Sequence, residues 1–65
     1  MLTEKIGTNA GIIYAALGNG ELNVKALKKT TKLAEKDLNL GLGWLAREGK
    51  VKFKEVDGEL FVRLA

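Results

Sequence analysis

The spacing of apolar and polar residues changes along this chain, and the change predicts three helices followed by a β-hairpin. The first segment spans residues 3–18, where apolar side chains recur with the i, i+4, i+8, i+11, i+15 spacing of one helical face. These positions are Leu2, Ile6, Ala10, Ile13 and Leu17. Thr3 is the expected N-cap, and Gly18-Asn19-Gly20 is expected to end the helix because Gly and Asn tolerate left-handed backbone.

Two further helical segments follow a short extended link at residues 21–23. Asn23 is a favourable N-cap for a helix over residues 24–30, and a tight turn with β-branched residues is expected at 30–33. The third helix is predicted over residues 34–48, with Gly49 just after its C-terminus. Its inward face carries Ala34, Leu38, Gly41, Leu42 and Leu45.

After residue 50, apolar and polar residues alternate with a period of two, as in a β-strand. With the turn sequence Asp57-Gly58, this alternation predicts a β-hairpin. A two-residue turn pairs Val51 with Leu64, Phe53 with Val62 and Val56 with Glu59. One face then holds most of the apolar residues, namely Val51, Phe53, Leu60, Val62 and Leu64, together with Glu55 opposite Leu60. The other face holds Lys52, Lys54, Val56, Phe61 and Arg63.

The order of these elements and two sequence stretches resemble the winged helix-turn-helix family. Residues 27–38 (LKKTTKLAEKDL) resemble its turn and the start of its recognition helix, and residues 42–51 (LGWLAREGKV) resemble its junction into the wing. The resemblance is closest to short stand-alone prokaryotic members of uncharacterised function. It implies an α+β fold, a three-helix winged helix-turn-helix with a C-terminal β-hairpin wing, formed as a single domain over residues 1–65.

The distribution of charge agrees with a nucleic-acid partner, although a solvated helix face explains it equally simply. The net charge is +3, and Lys25, Lys28, Lys29 and Lys32 follow one another without an intervening acid. The resemblance implies that helix 34–48 enters the major groove of double-stranded DNA while the basic residues meet phosphates. The expected DNA-contacting residues are Lys25, Lys28, Lys29, Lys32, Lys36, Asn39, Arg47, Lys52, Lys54 and Arg63.

Other residues favour a protein partner, so the alternative is a protein-interaction or homodimerisation module that does not read DNA. Glu35 and Asp37 would repel phosphates at the start of the third helix. Exposed apolar side chains would form a contact surface, the expected members being Leu40, Trp44, Val56 and Phe61. Trp44 has two open roles: covering the core where the third helix meets the wing, or anchoring an interface.

Four glycines inside the predicted helices are costly, at roughly 1 kcal/mol each relative to Ala. They are Gly7, Gly11, Gly41 and Gly43. Gly7, Gly11 and Ala15 form a small-residue stripe roughly opposite the inward face of the first helix. The stripe is either neutral or a surface where a second copy or another partner packs closely.

Composition removes most other classes of function. The chain has no His and no Cys, which excludes imidazole and thiolate metal sites and the catalytic arrangements that need them. Its carboxylates are scattered, so we expect neither an enzyme nor a cofactor. No apolar run has the ~18 residues of a membrane span, and no signal peptide is evident, which indicates a cytoplasmic protein.

Overall fold

The computed structural model describes residues 2–65, with side chains described from Glu4 onward. Helix α1 spans Leu2–Leu17. It therefore begins before Thr3, and the predicted side-chain cap at Thr3 lies outside the described side chains. The helix ends as expected at the glycine turn, where Gly18 N–H donates to the Ala15 carbonyl and Gly20 N–H to the Leu17 carbonyl, both at 3.1 Å.

Strand β1 (Leu22–Asn23) leads directly into helix α2 (Val24–Thr31). The predicted cap is confirmed: Asn23 Oδ1 accepts a 2.7 Å hydrogen bond from the Ala26 N–H. The helix ends at Lys32, whose backbone is left-handed at φ 59° and whose N–H donates to the Lys28 carbonyl. Thr31 Oγ1 also donates to the Leu27 carbonyl at 2.8 Å, which closes the turn.

Helix α3 spans Glu35–Arg47, one residue shorter than predicted at each end. Ala34 was expected to face the core, but it is exposed and serves as the N-cap without a side-chain hydrogen bond. The Leu38 N–H donates to its carbonyl at 2.9 Å. The end at Gly49 is confirmed, with φ 69° and an N–H that donates to the Ala46 carbonyl.

Strands β2 (Val51–Val56) and β3 (Glu59–Leu64) form the predicted wing in the predicted register. Asp57 and Gly58 both have positive φ, at 50° and 80°, as a two-residue hairpin turn requires. The sheet also has a third strand, β1, where the sequence predicts only an extended link at residues 21–23. β1 pairs antiparallel with β3, so the strand order is β1-β3-β2.

The core lies between the three helices and the inner face of the wing. Its buried members are Ala10, Ile13 and Leu17 of α1, Leu27 of α2, Leu38, Leu42 and Leu45 of α3, and Val51 and Val62 of the wing. Two residues predicted for the inner face are not buried: Phe53 is 43% exposed and Leu60 is 41% exposed. The core cluster includes only wing residues near the open end of the hairpin, so the half near the turn is left exposed.

Gly41 makes possible the close contact between α1 and α3. It is buried, and a Cβ built on it would lie 2.5 Å from Cδ1 of Ile13 and 3.4 Å from the backbone nitrogen of Ala10. Ile13 is itself fully buried, so its side chain has little room to move aside. Gly41 is therefore a packing residue rather than part of a partner surface.

Gly41→Ala is expected to destabilise the fold by about 1–2 kcal/mol, because the overpacking at Ile13 exceeds the gain in helix propensity. Gly43→Ala is the matched control on the same helix, since a Cβ there meets nothing within 4 Å. It should stabilise by about 0.5–1 kcal/mol. Urea denaturation measures both values, and equal effects of the two substitutions would contradict this assignment.

Candidate nucleic-acid interface

The outer face of α3 is the surface that the core leaves free. Lys36, Leu40, Gly43 and Arg47 recur along it with helical spacing, and all four are exposed. Asn39 is exposed beside them. The buried residues on the opposite face of α3 are Leu38, Gly41, Leu42 and Leu45. The face therefore combines two long cations, an amide, an exposed leucine and a position without a side chain.

Four exposed lysines follow α2 into the turn before α3, at Lys25, Lys28, Lys29 and Lys32. Lys25, Lys28 and Lys29 lie on the polar face of α2, whose buried residue is Leu27. Lys32 is held in left-handed backbone, a conformation that costs a non-glycine L-residue roughly 1–2 kcal/mol. The backbone at this position is thus determined by the turn between α2 and α3, and the lysine side chain brings no conformational advantage to it.

The outer face of the wing carries three further cations, Lys52, Lys54 and Arg63, all exposed. Lys52 and Arg63 are direct partners across the β2–β3 ladder. Like charges in directly opposed positions destabilise a strand pair, so this pair raises the positive potential of the wing at a cost to the sheet. Phe61 lies on the same outer face, half-buried in the central strand between Asn23 and Lys54.

Three ion pairs reduce the effect of the acidic residues nearest to these cations. Lys5 Nζ lies 3.4 Å from Asp37 Oδ1, Lys28 Nζ lies 4.0 Å from Glu35 Oε2, and Lys54 Nζ lies 4.0 Å from Glu21 Oε1. Such exposed pairs contribute little stability, but the first two compensate charge at the start of α3. In the described part of the chain, Lys28 and Lys54 are the only paired cations among the nine expected to meet DNA, which leaves seven.

A shallow apolar groove lies between α1 and α3. It encloses about 240 Å³ and is lined by Gly7, Ala10, Gly11, Tyr14, Trp44, Leu45 and Lys50. A Cβ atom added at Gly7 or at Gly11 would meet no other atom within 4 Å. The absence of side chains at these two positions therefore leaves open space in the groove. Ala15, the third member of the predicted stripe, does not line it.

Trp44 belongs to this groove rather than to the core. It is 37% exposed, and most of the residues that line the groove with it come from α1. Trp44 is not part of the core cluster, but it lines the groove together with the core residues Ala10 and Leu45. Both of its expected roles, covering the core and anchoring an interface, therefore remain open. Tyr14 and Lys50 were not singled out from the sequence. A signal for Tyr14 was present, since it lies one turn beyond Gly11 and next to the stripe.

No group of three or more potential metal ligands occurs among the described residues. No helix in residues 2–65 has both the length and the apolar character needed to cross a membrane.

Known proteins are similar to this chain both in sequence and in fold. The model of the family described as "Winged helix-turn-helix domain (DUF2582)" matches residues 1–64. The chain is similar to uncharacterized protein MJ1608 of Methanocaldococcus jannaschii, with 35% identity over 66 residues that cover 92% of this chain and 90% of that protein.

Two solved structures share the arrangement of helices and strands. The solution NMR structure of protein BT2368 from Bacteroides thetaiotaomicron has a TM-score of 0.88 and 29% identity, covering 98% of this chain and 79% of that one. HlyU from Vibrio cholerae N16961 has a TM-score of 0.76 and 30% identity, covering 82% of this chain and 58% of that one.

Lys32→Gly is expected to raise the free energy of unfolding by about 0.5–1 kcal/mol, because relief of the left-handed strain exceeds the added entropy of the unfolded chain. Lys29→Gly is the matched control within the helical part of α2, and it should lower stability by about 0.5–1 kcal/mol. Thermal and urea unfolding measure both. A loss of stability in Lys32→Gly would contradict the strain argument.

Proposed function

Because this chain belongs to the winged helix-turn-helix domain family, we propose that it binds double-stranded DNA as a small transcription-regulator-like protein. In this proposal α3 lies in the major groove and offers Lys36 and Asn39 from its first turns to base edges. Arg47 contacts the backbone at the far end of the helix. The proposed activity is binding in the cytoplasm, without a catalytic step and without a cofactor.

The observation that carries the proposal is the set of unpaired cations on α2, on the turn that follows it and on the outer face of α3. Lys25, Lys29 and Lys32 precede this helix, while Lys36 and Arg47 lie on it, and none has an ion-pair partner among the described residues. Phosphates are the partners that such a distribution suits, because each contact releases condensed counterions from DNA.

The opposed cations of the wing support the same proposal. Lys52 and Arg63 repel each other across β2 and β3 in the free protein. A phosphate between or beside them would reduce that repulsion, so part of the binding energy at the wing would come from removing an unfavourable interaction. An interaction module with an apolar partner gains nothing from this pair.

Binding to random-sequence duplex DNA across a salt series is expected to give a slope of log K against log salt of about −6, from seven unpaired cations. Replacing Lys25 and Lys29 together by Ala should reduce the slope by about two. Lys50→Ala is the control, since Lys50 lines the α1–α3 groove. It should leave the slope unchanged. Absence of binding at low salt would refute the proposal.

The α1–α3 groove supports a second candidate function, homodimerisation. Two of its lining residues are glycines, which permit a close approach, and two others, Tyr14 and Trp44, offer the amphipathic aromatic surface that protein interfaces favour. A symmetric dimer would place the groove of one copy against that of the other. Lys36, Asn39 and Arg47 do not line this groove, so a dimer formed through it is compatible with DNA binding.

Sedimentation velocity over a concentration series tests the dimer. The unmodified protein is expected to associate, and Gly11→Leu should abolish association by filling the groove without disturbing the fold, because the site is open. Ala15→Leu is the control on the same helix, outside the groove lining. A monomer at all concentrations, or equal behaviour of the two variants, would exclude this interface.

A further inference from the structure

Leu40 is an apolar side chain that stays partly exposed on the outer face of α3. It is 37% exposed and belongs neither to the core cluster nor to the partly buried residues that pack against it. It lies on the outer face of α3 between Lys36 and Gly43. An exposed leucine at the centre of a cationic surface has a chemical use only if the partner offers an apolar group there.

The neighbouring positions let the helix come close enough for a short side chain to reach that group. Gly43 follows Leu40 on the same face, and a Cβ built there meets nothing within 4 Å. Gly43 therefore leaves one side of Leu40 open at this turn, while the partly exposed Trp44 bounds the other side. Lys36, one turn earlier at about 6 Å along the axis, and Arg47 beyond it flank the site with positive charge.

The major groove of DNA offers one apolar group of this kind, the C5 methyl group of thymine. We propose that Leu40 contacts thymine methyl groups and that Asn39 forms hydrogen bonds with an adenine in a neighbouring base pair. This inference rests on the DNA-binding function proposed above. Asparagine matches the N6 and N7 atoms of adenine, and its side chain is exposed next to Leu40. The ligand class is therefore duplex DNA with adenine–thymine pairs under the first two turns of α3.

The test removes the methyl group from the DNA and the leucine from the protein in turn. The probes are short alternating duplexes of dA-dT and of dA-dU, which differ only in the C5 methyl groups. The unmodified protein is expected to bind the dA-dT duplex about fourfold more tightly, the equivalent of burying one methyl group. Leu40→Ala should bind both duplexes equally, with an affinity near that of the unmodified protein for dA-dU.

Leu60→Ala is the matched control, because Leu60 is similarly exposed but lies on the wing. It should retain the preference for dA-dT, and circular dichroism verifies that both variants keep the fold. Salt-dependent binding of the unmodified protein to both duplexes with equal affinity would overturn the methyl contact while leaving DNA binding intact, and would assign Leu40 to a protein partner. Absence of binding to either duplex would overturn both proposals.

Discussion

The contact between α1 and α3 at Gly41 determines the rest of the structure. A glycine there lets α3 lie directly on Ala10 and Ile13, where any side chain would meet the fully buried Ile13. Because the Gly41 face of α3 packs against α1, the rotation of α3 about its own axis is determined. Lys36, Leu40, Gly43 and Arg47 then point away from the core together. The chemistry that the domain presents to a partner is thus a consequence of packing on its opposite side.

The sequence predicted this arrangement well wherever local chemistry and hydrophobic spacing agreed. The hairpin register followed from Asp57-Gly58 and the period of two, and both turn residues have the positive φ expected there. The start of α2 was predicted from Asn23, because an asparagine side chain accepts a hydrogen bond from the first turn of a helix. Phe53 and Leu60 lie on the predicted face but stay exposed, because a period of two identifies a face of a sheet and does not say how far the helices extend beneath it.

The features that the sequence could not predict depend on distances between elements. Gly7, Gly11, Gly41 and Gly43 look equivalent in a helical pattern, yet Gly41 is a buried packing residue while the other three have open space at the missing Cβ. The groove required α1 and α3 to be placed side by side before Gly7 and Trp44 could be seen to line one surface. Likewise, the pairing of Glu35 and Asp37 with lysines from α2 and α1 changes the electrostatic cost that the sequence alone assigned to them.

Asn23 has two structural roles at once. Its backbone pairs with Phe61 in the central strand of the sheet, and its side chain holds the first turn of α2. The third strand of the sheet therefore runs into α2 without an intervening loop. The lysines of α2 and those of the wing are thus placed relative to each other by the covalent chain and by hydrogen bonds, and not by a flexible connection.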